Sequence, residues 1–152
     1  MAKIRTLVAA VGKMSGQKFH APAAEYQRRM PHVQVTEIDI RKKLPPLEMQ
    51  KAEGDELLRA SLGFHRIVLD VGGKSYSSES FAEALQSWHD RHGQVAFLIG
   101  SADGHGAAVR AAADQSLSLG SFTLPHLLAR VVLLEQLYRA ETILTKHPYH
   151  RG

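Results

Sequence analysis

The sequence predicts an α/β domain with a mostly parallel sheet, and three observations carry that expectation. Short apolar runs alternate along the chain with longer stretches whose apolar residues recur at helical spacing. The runs are continuous rather than alternating, as in strands covered on both faces. Three glycine-containing turns, Asp70–Lys74, Gly100–Gly106 and Gly120–Pro125, follow strands. In an open α/β sheet, ligands bind where such turns leave the carboxyl ends of strands.

Ile4–Val11 (IRTLVAAV) is a mostly apolar run that ends at Gly12 and reads as a buried strand. After a loop to Gln17, Lys18–Met30 places Phe19, Ala23, Tyr26 and Met30 at helical spacing, and Pro31 ends the helix. Val33, Val35 and Ile38 mark a second strand in VQVTEIDI. Arg41–Pro46 (RKKLPP) is a basic, proline-containing loop, either a solvated linker or a phosphate-contacting arm. Leu47–Ser61 is helical with Leu57 and Leu58 on its inner face, and Gly63 closes it. Arg66–Val71 (RIVLDV) is a third strand, continuous enough to be central, and Gly72-Gly73-Lys74 reads as a turn after it. Ser77 or Ser78 caps the next helix, with Glu79 in its first turn and Phe81, Ala84, Leu85 and Trp88 on one face. Gly93 ends that helix, and Val95–Ile99 is the fourth strand. A small-residue helix lies between turns at Gly100–Gly106 and Gly120–Pro125. Leu124–Thr145 is the longest helix, with Pro125 near its start. Leu127, Val131, Leu134 and Tyr138 form its apolar stripe, widened by Leu128, Val132 and Leu133. A helix this apolar is either core or faces a partner subunit.

The bulk numbers fit one domain spanning residues 1–152, long enough to bury a sizeable core. No run approaches the roughly 20 apolar residues of a membrane span, and the start does not resemble a signal peptide. The absence of cysteine excludes disulfides and thiolate metal sites and fits a cytoplasmic protein. A net charge of +4 with nine further histidines suits an RNA partner without requiring one.

Chemistry concentrates in the loops. Gly100-Ser101-Ala102-Asp103-Gly104-His105-Gly106 lacks the G-x-G-x-x-G spacing of a dinucleotide site, and no P-loop lysine follows. His105, His126, His147 and His150 fall in no metal-binding spacing, so no metal is expected. No G-x-S-x-G nucleophile elbow exists. The tail His147-Pro148-Tyr149-His150-Arg151 combines groups for stacking, proton transfer and phosphate binding. Terminal position alone would leave it frayed.

At this point the residues resemble a known family. Ser116–Arg151 is similar to the C-terminal region of the RlmH family, the bacterial large-subunit ribosomal RNA pseudouridine N3-methyltransferases of the SPOUT class. The pieces are SLSLGSFTLPH, LARVVLLEQLYRA and the terminal HPYHR. Upstream, IRTLVAAVGKM, LDVGGK with SSESFA, and FLIG with ADGHG match in the same order. The resemblance implies a SPOUT-type α/β knot, in which the C-terminal segment threads a loop as a trefoil knot, against the usual unknotted rule. It implies S-adenosylmethionine (SAM) as cofactor and a homodimer. It further implies cofactor contacts at Leu69, Gly100, Ser101, Gly120, Ser121, Phe122, Thr123, Leu124 and Pro125. The family usually has a second glycine where this chain has Ser101. A serine there carries a penalty if the position needs a left-handed backbone or close approach to the cofactor.

The implied substrate is a pseudouridine in helix 69 of 23S rRNA, in the assembled 70S ribosome, methylated at N3. The nitrogen must lose its proton as the methyl arrives. His150 is the candidate proton acceptor, Tyr149 stacks on or hydrogen-bonds the base, Arg151 holds a phosphate or carbonyl, and Arg139 is a second positioning group. Arg41–Lys43, Lys13 and Lys18 are candidate phosphate contacts. The rival expectation is a non-catalytic ribosome-binding protein that keeps the fold, which Ser101 alone favours.

Overall fold

A computed structural model describes residues 5–151; Ile4, the expected start of the first strand, lies outside them. The described residues form β1 (Thr6–Val11), α1 (His20–Arg29), β2 (Val33–Ile38), α2 (Pro46–Ala60), β3 (His65–Ser75), α3 (Ser78–His92), β4 (Val95–Ile99), α4 (Ala107–Ala112), β5 (Gln115–Ser118) and α5 (His126–Leu144). One sheet in the order β2-β1-β4-β3-β5 joins the strands, and every pairing is parallel.

The layers follow from the two-residue period of a strand. Val8 and Ala10 of β1, with Phe97 of β4, point into a core shared with Ala23 of α1, Phe81 and Trp88 of α3, and Leu133 and Leu137 of α5. Leu7, Ala9 and Val11, with Leu98 of β4, point to the other face, against Leu57 of α2 and Val109 of α4. Both faces of β1 and β4 are therefore buried throughout, which is why these strands read as unbroken apolar runs.

Two expectations are corrected. Gly72-Gly73-Lys74 does not end the third strand, because β3 continues through it to Ser75 around a bulge. Leu69 and Lys74 both align with Leu117, so the residues between them leave the ladder. A Cβ on Gly73 would lie 2.8 Å from the Leu117 nitrogen, so only glycine passes that close to β5. Second, QSLS is a fifth strand that the reading of the sequence did not place.

At α3, Ser77 is the N-cap: its hydroxyl accepts the Ser80 N–H while the Ser80 hydroxyl accepts the Ser77 N–H. The tail packs back on the protein rather than fraying: Tyr149 stands edge-on to Tyr138 at 4.8 Å. Among the described residues, no helix is long and apolar enough to cross a membrane.

Candidate functional site

Because all strands run parallel, the connections after β1, β2, β3, β4 and β5 emerge at one edge of the sheet. A cavity of about 450 Å³ opens there. Leu69, Asp70 and Val71 from the β3 bulge form one wall, and Gly100, Ser101, Ala102, Gly104 and His105 after β4 form the second. Leu119, Gly120 and Phe122–Pro125 before α5 form the third, with His126 and Ala129 at the head of the helix. Of the positions expected to touch a cofactor, all but Ser121 line this cavity; Ser121 is exposed on the same connection.

The serine in the second wall is accommodated without strain. Among the described residues, Lys146 is the one non-glycine with a left-handed backbone. The turn that follows closes with the Gly104 N–H donating to the Ser101 carbonyl at 2.9 Å, and its left-handed position is Gly104, at φ +77. The turn is also held from α2, where Gln50 Nε2 donates to the Asp103 carbonyl at 3.2 Å and the Gly104 carbonyl at 3.3 Å. The Ser101 hydroxyl faces Glu53 and partly offsets the burial that raises that carboxyl's pKa.

Charge is sparse around the cavity. Asp70 is the one carboxylate among its lining residues. The Arg110 guanidinium, 2.7 Å from Asp70 Oδ2, holds that carboxyl below its ordinary range, against a smaller opposing effect of burial. His105 is buried, and burial, supported by the Arg110 charge, keeps its ring from protonating. Its Nε2 lies 3.1 Å from the Leu98 carbonyl, which can only accept, so Nε2 carries the hydrogen. Nδ1 then has no partner among the described residues. His126 is likewise held neutral, by burial first and then by the Arg130 charge.

A second cavity, of about 260 Å³, shares Leu117, Leu119 and Gly120 with the first and continues to Ser77, Ser78, Phe81 and Gln136. Hydrogen bonds lead from its far end to the tail. Ser78 Oγ donates to Gln136 Oε1 at 2.8 Å, and Gln136 Nε2 donates to Glu135 Oε1 at 2.7 Å. Glu135 is the hub: its Oε2 accepts from Arg139 Nη2 at 2.7 Å and from the Tyr149 hydroxyl at 2.9 Å. Burial first, then bonds to Tyr26 and Glu135, raise the Tyr149 phenol far above its ordinary pKa, so it stays a neutral donor. The Arg139 guanidinium also lies 4.9 Å from the centre of the Tyr149 ring.

His150 has a defined tautomer. Arg139 Nη1 can only donate, so at 3.0 Å it faces a lone pair on His150 Nδ1. The hydrogen is therefore on Nε2, which donates to Glu79 Oε1 at 2.9 Å. The structure thus gathers Arg139, Tyr149 and His150 into one cluster, leaves Arg151 exposed, and places none of the four on the wall of the larger cavity. Glu135, Glu79 and Tyr26, which complete the cluster, were not expected as site residues.

Arg130 was missed as well. It is 1% exposed, reaches Glu37 Oε2 at 2.5 Å and donates to the Gly12 carbonyl at 2.8 Å. Glu37 also accepts the Met14 N–H at 2.8 Å, so one buried cation ties α5 to β2 and to the loop after β1. The signal was present: Arg130 is the single charge in LLARVVLL. Among the described residues, no three His, Asp or Glu side chains group as a metal site.

Comparison with known proteins places the chain in a family. A family profile described as "Predicted SPOUT methyltransferase" matches residues 4–150. The ribosomal RNA large subunit methyltransferase H of Paramagnetospirillum magneticum is 45% identical over 152 residues, 97% of this chain and 99% of that protein. The protein of the same name from Sorangium cellulosum is 46% identical over 148 residues, covering 96% and 99%. That of Acidiphilium cryptum is 49% identical over 108 residues, 70% of this chain and 68% of that protein.

Proposed function

We propose, starting from a chain that belongs to the SPOUT methyltransferase family and to its ribosomal RNA large subunit methyltransferase H members, that it methylates N3 of a pseudouridine in helix 69 of 23S rRNA. SAM is the methyl donor and the assembled 70S ribosome, in the cytoplasm, is the substrate. The observation that carries the reading is the three-walled cavity, which collects all but one of the residues expected to touch the cofactor.

That cavity suits SAM. Its walls are mainly apolar side chains and backbone from three turns, which pack against and hydrogen-bond an adenosine. Asp70, the one carboxylate among the lining residues, is already paired with Arg110 at 2.7 Å, so its pull on a cationic ligand is partly offset and binding rests mainly on the apolar walls and backbone groups. SAM supplies an electrophilic methyl group when bound; every other task falls to the protein.

His150 takes the N3 proton at Nδ1, the nitrogen that carries the lone pair, while Glu79 orients the ring through Nε2. Arg139 occupies that lone pair in the free protein, so substrate binding must draw Arg139 away. A uracil carbonyl or a phosphate is the natural replacement partner for its guanidinium. Tyr149, locked neutral between Glu135 and Tyr26, presents a ring and a fixed hydroxyl for the base. Arg151, exposed beside it, contacts phosphate. Lys13, Lys18 and Arg41–Lys43 are exposed in the β1–α1 and β2–α2 connections, at the edge of the sheet that carries the cavity, and track the RNA backbone.

A homodimer is supported by apolar surface around the site. Leu127, Leu128, Val131 and Val132 on α5 are only half-buried, and Phe122 is 88% exposed. The C-terminal trefoil knot of the SPOUT class belongs to the same proposal. The backbone half of the case for a non-catalytic ribosome binder is weakened, since Ser101 sits outside the left-handed region; its side chain lines the cavity, and Ser101→Gly tests whether it obstructs the cofactor.

The test is His150→Ala, with methyl incorporation into ribosomes lacking the modification and SAM affinity measured together. Incorporation is expected to fall by at least about a hundredfold, with SAM affinity kept. Incorporation at the normal rate would remove His150 from the mechanism. Failure of the unaltered protein to bind SAM would overturn the cofactor reading.

A further inference from the structure

Two of the three cavity walls have no covalent connection near the site. Asp70 comes from the β3 bulge and His105 from the turn after β4. One side chain spans them. Arg110 on α4 donates through Nη1 to Asp70 Oδ2 at 2.7 Å and through Nε to the His105 carbonyl at 3.2 Å. Arg110 does not itself line the cavity, whereas both residues it holds do. We infer that Arg110 is a positioning residue for cofactor binding, a brace that sets the separation of these walls and the direction of the Asp70 carboxylate; the inference rests on the reading of this cavity as the SAM site.

Geometry carries the inference. A guanidinium is a rigid planar fork, so its two donors fix the relative placement of their acceptors in a way that a lysine ammonium cannot. The His105 end is firm, because that ring is buried and bound to the Leu98 carbonyl. The Asp70 end is not: Asp70 stands in a bulge outside the ladder, and among the described residues its other oxygen reaches only the Gly72 N–H, at 3.5 Å. Without Arg110 the carboxylate turns toward water, and the Gly100–Gly106 turn keeps its fastenings to α2 and to the Leu98 carbonyl but loses its link to the β3 wall. The Arg110 side chain is 51% exposed, so the brace adds little to overall stability. Its effect falls on the ligand.

Charge alone predicts the opposite result. Arg110 offsets the attraction of Asp70 for a cation, so a purely electrostatic role means that removing its charge tightens SAM binding. The experiment therefore compares Arg110→Gln, which loses the charge, with Arg110→Lys, which keeps the charge and loses the fork. Calorimetric SAM affinity is measured on each full-length variant, with amide hydrogen exchange at residues 101–105 of the ligand-free protein. Both variants are expected to bind SAM about fivefold more weakly, with faster exchange in the turn and a midpoint of thermal unfolding within about 2 °C of the parent. The inference is overturned if Arg110→Gln binds SAM as tightly as the parent or more tightly, or if Arg110→Lys binds as the parent does. If the parent binds no SAM, it is the cofactor reading that fails; the exchange measurement still decides, without ligand, whether Arg110 holds the turn.

Discussion

The Arg130–Glu37 pair predicts an asymmetric response to mutation. The Arg130 side chain is 2% exposed and the Glu37 side chain 34%. Glu37→Gln removes the partner that still meets water and strands a guanidinium that does not. Breaking a buried pair in this way costs about 3–5 kcal/mol; screening at the water-facing part of Glu37 reduces the expected cost to about 2–3 kcal/mol. Arg130→Met removes the buried charge, fills similar space and leaves Glu37 able to turn to solvent, so its cost is expected to be smaller, about 1 kcal/mol. Acid adds a second signature. Burial pulls the Glu37 pKa up, but the Arg130 bond, the Met14 N–H and the charges of Arg130 and Lys13 together hold it below its ordinary 4.5. Its stabilisation is therefore complete above pH 4.5 and is lost as the pH falls through the lower folded-state value. Urea unfolding at neutral pH and at several acid values reads both effects. If Arg130→Met proves the costlier change, or Glu37→Gln loses stability in acid as steeply as the parent, the pairing argument is refuted.

Two further outcomes follow from the loops. Gly73→Ala drives a Cβ to 2.8 Å from the Leu117 nitrogen, so it should destabilise the protein by about 1–3 kcal/mol and weaken SAM binding, read by urea unfolding and calorimetry. Ser101→Gly should leave SAM affinity within about twofold, because the left-handed position in the turn is Gly104 and not residue 101. A large gain in affinity would show that serine obstructs the cofactor.

Elements covered on both faces were legible in the sequence, because burial leaves a compositional trace. β1 and β4 are apolar throughout, and α3 carries a serine cap ahead of its Phe81–Trp88 face. β5 left almost no trace. Its first two residues, Gln115 and Ser116, are exposed, and its place in the sheet comes from pairing with β3. The β3 bulge misled for a related reason: Gly72-Gly73 has the composition of a turn, yet the glycine serves close passage against β5. At the site, residue types located the glycine turns but did not say which ligand they serve; the family resemblance selected the contacts. Within the tail, Tyr149 and His150 stood out by chemistry. Their partners did not, since Glu135 lies on the preceding helix and Glu79 is 71 residues from His150. Such partners become visible only when the chain is folded.

The measurement that tests the central claim most directly is methyl transfer from labelled SAM to purified 70S ribosomes lacking the modification, with the methylated position mapped. The account predicts incorporation at N3 of a helix 69 pseudouridine. Incorporation elsewhere would contradict the assigned substrate, and no incorporation together with no SAM binding would contradict the assignment of the cavity and make a non-catalytic ribosome binder the better description.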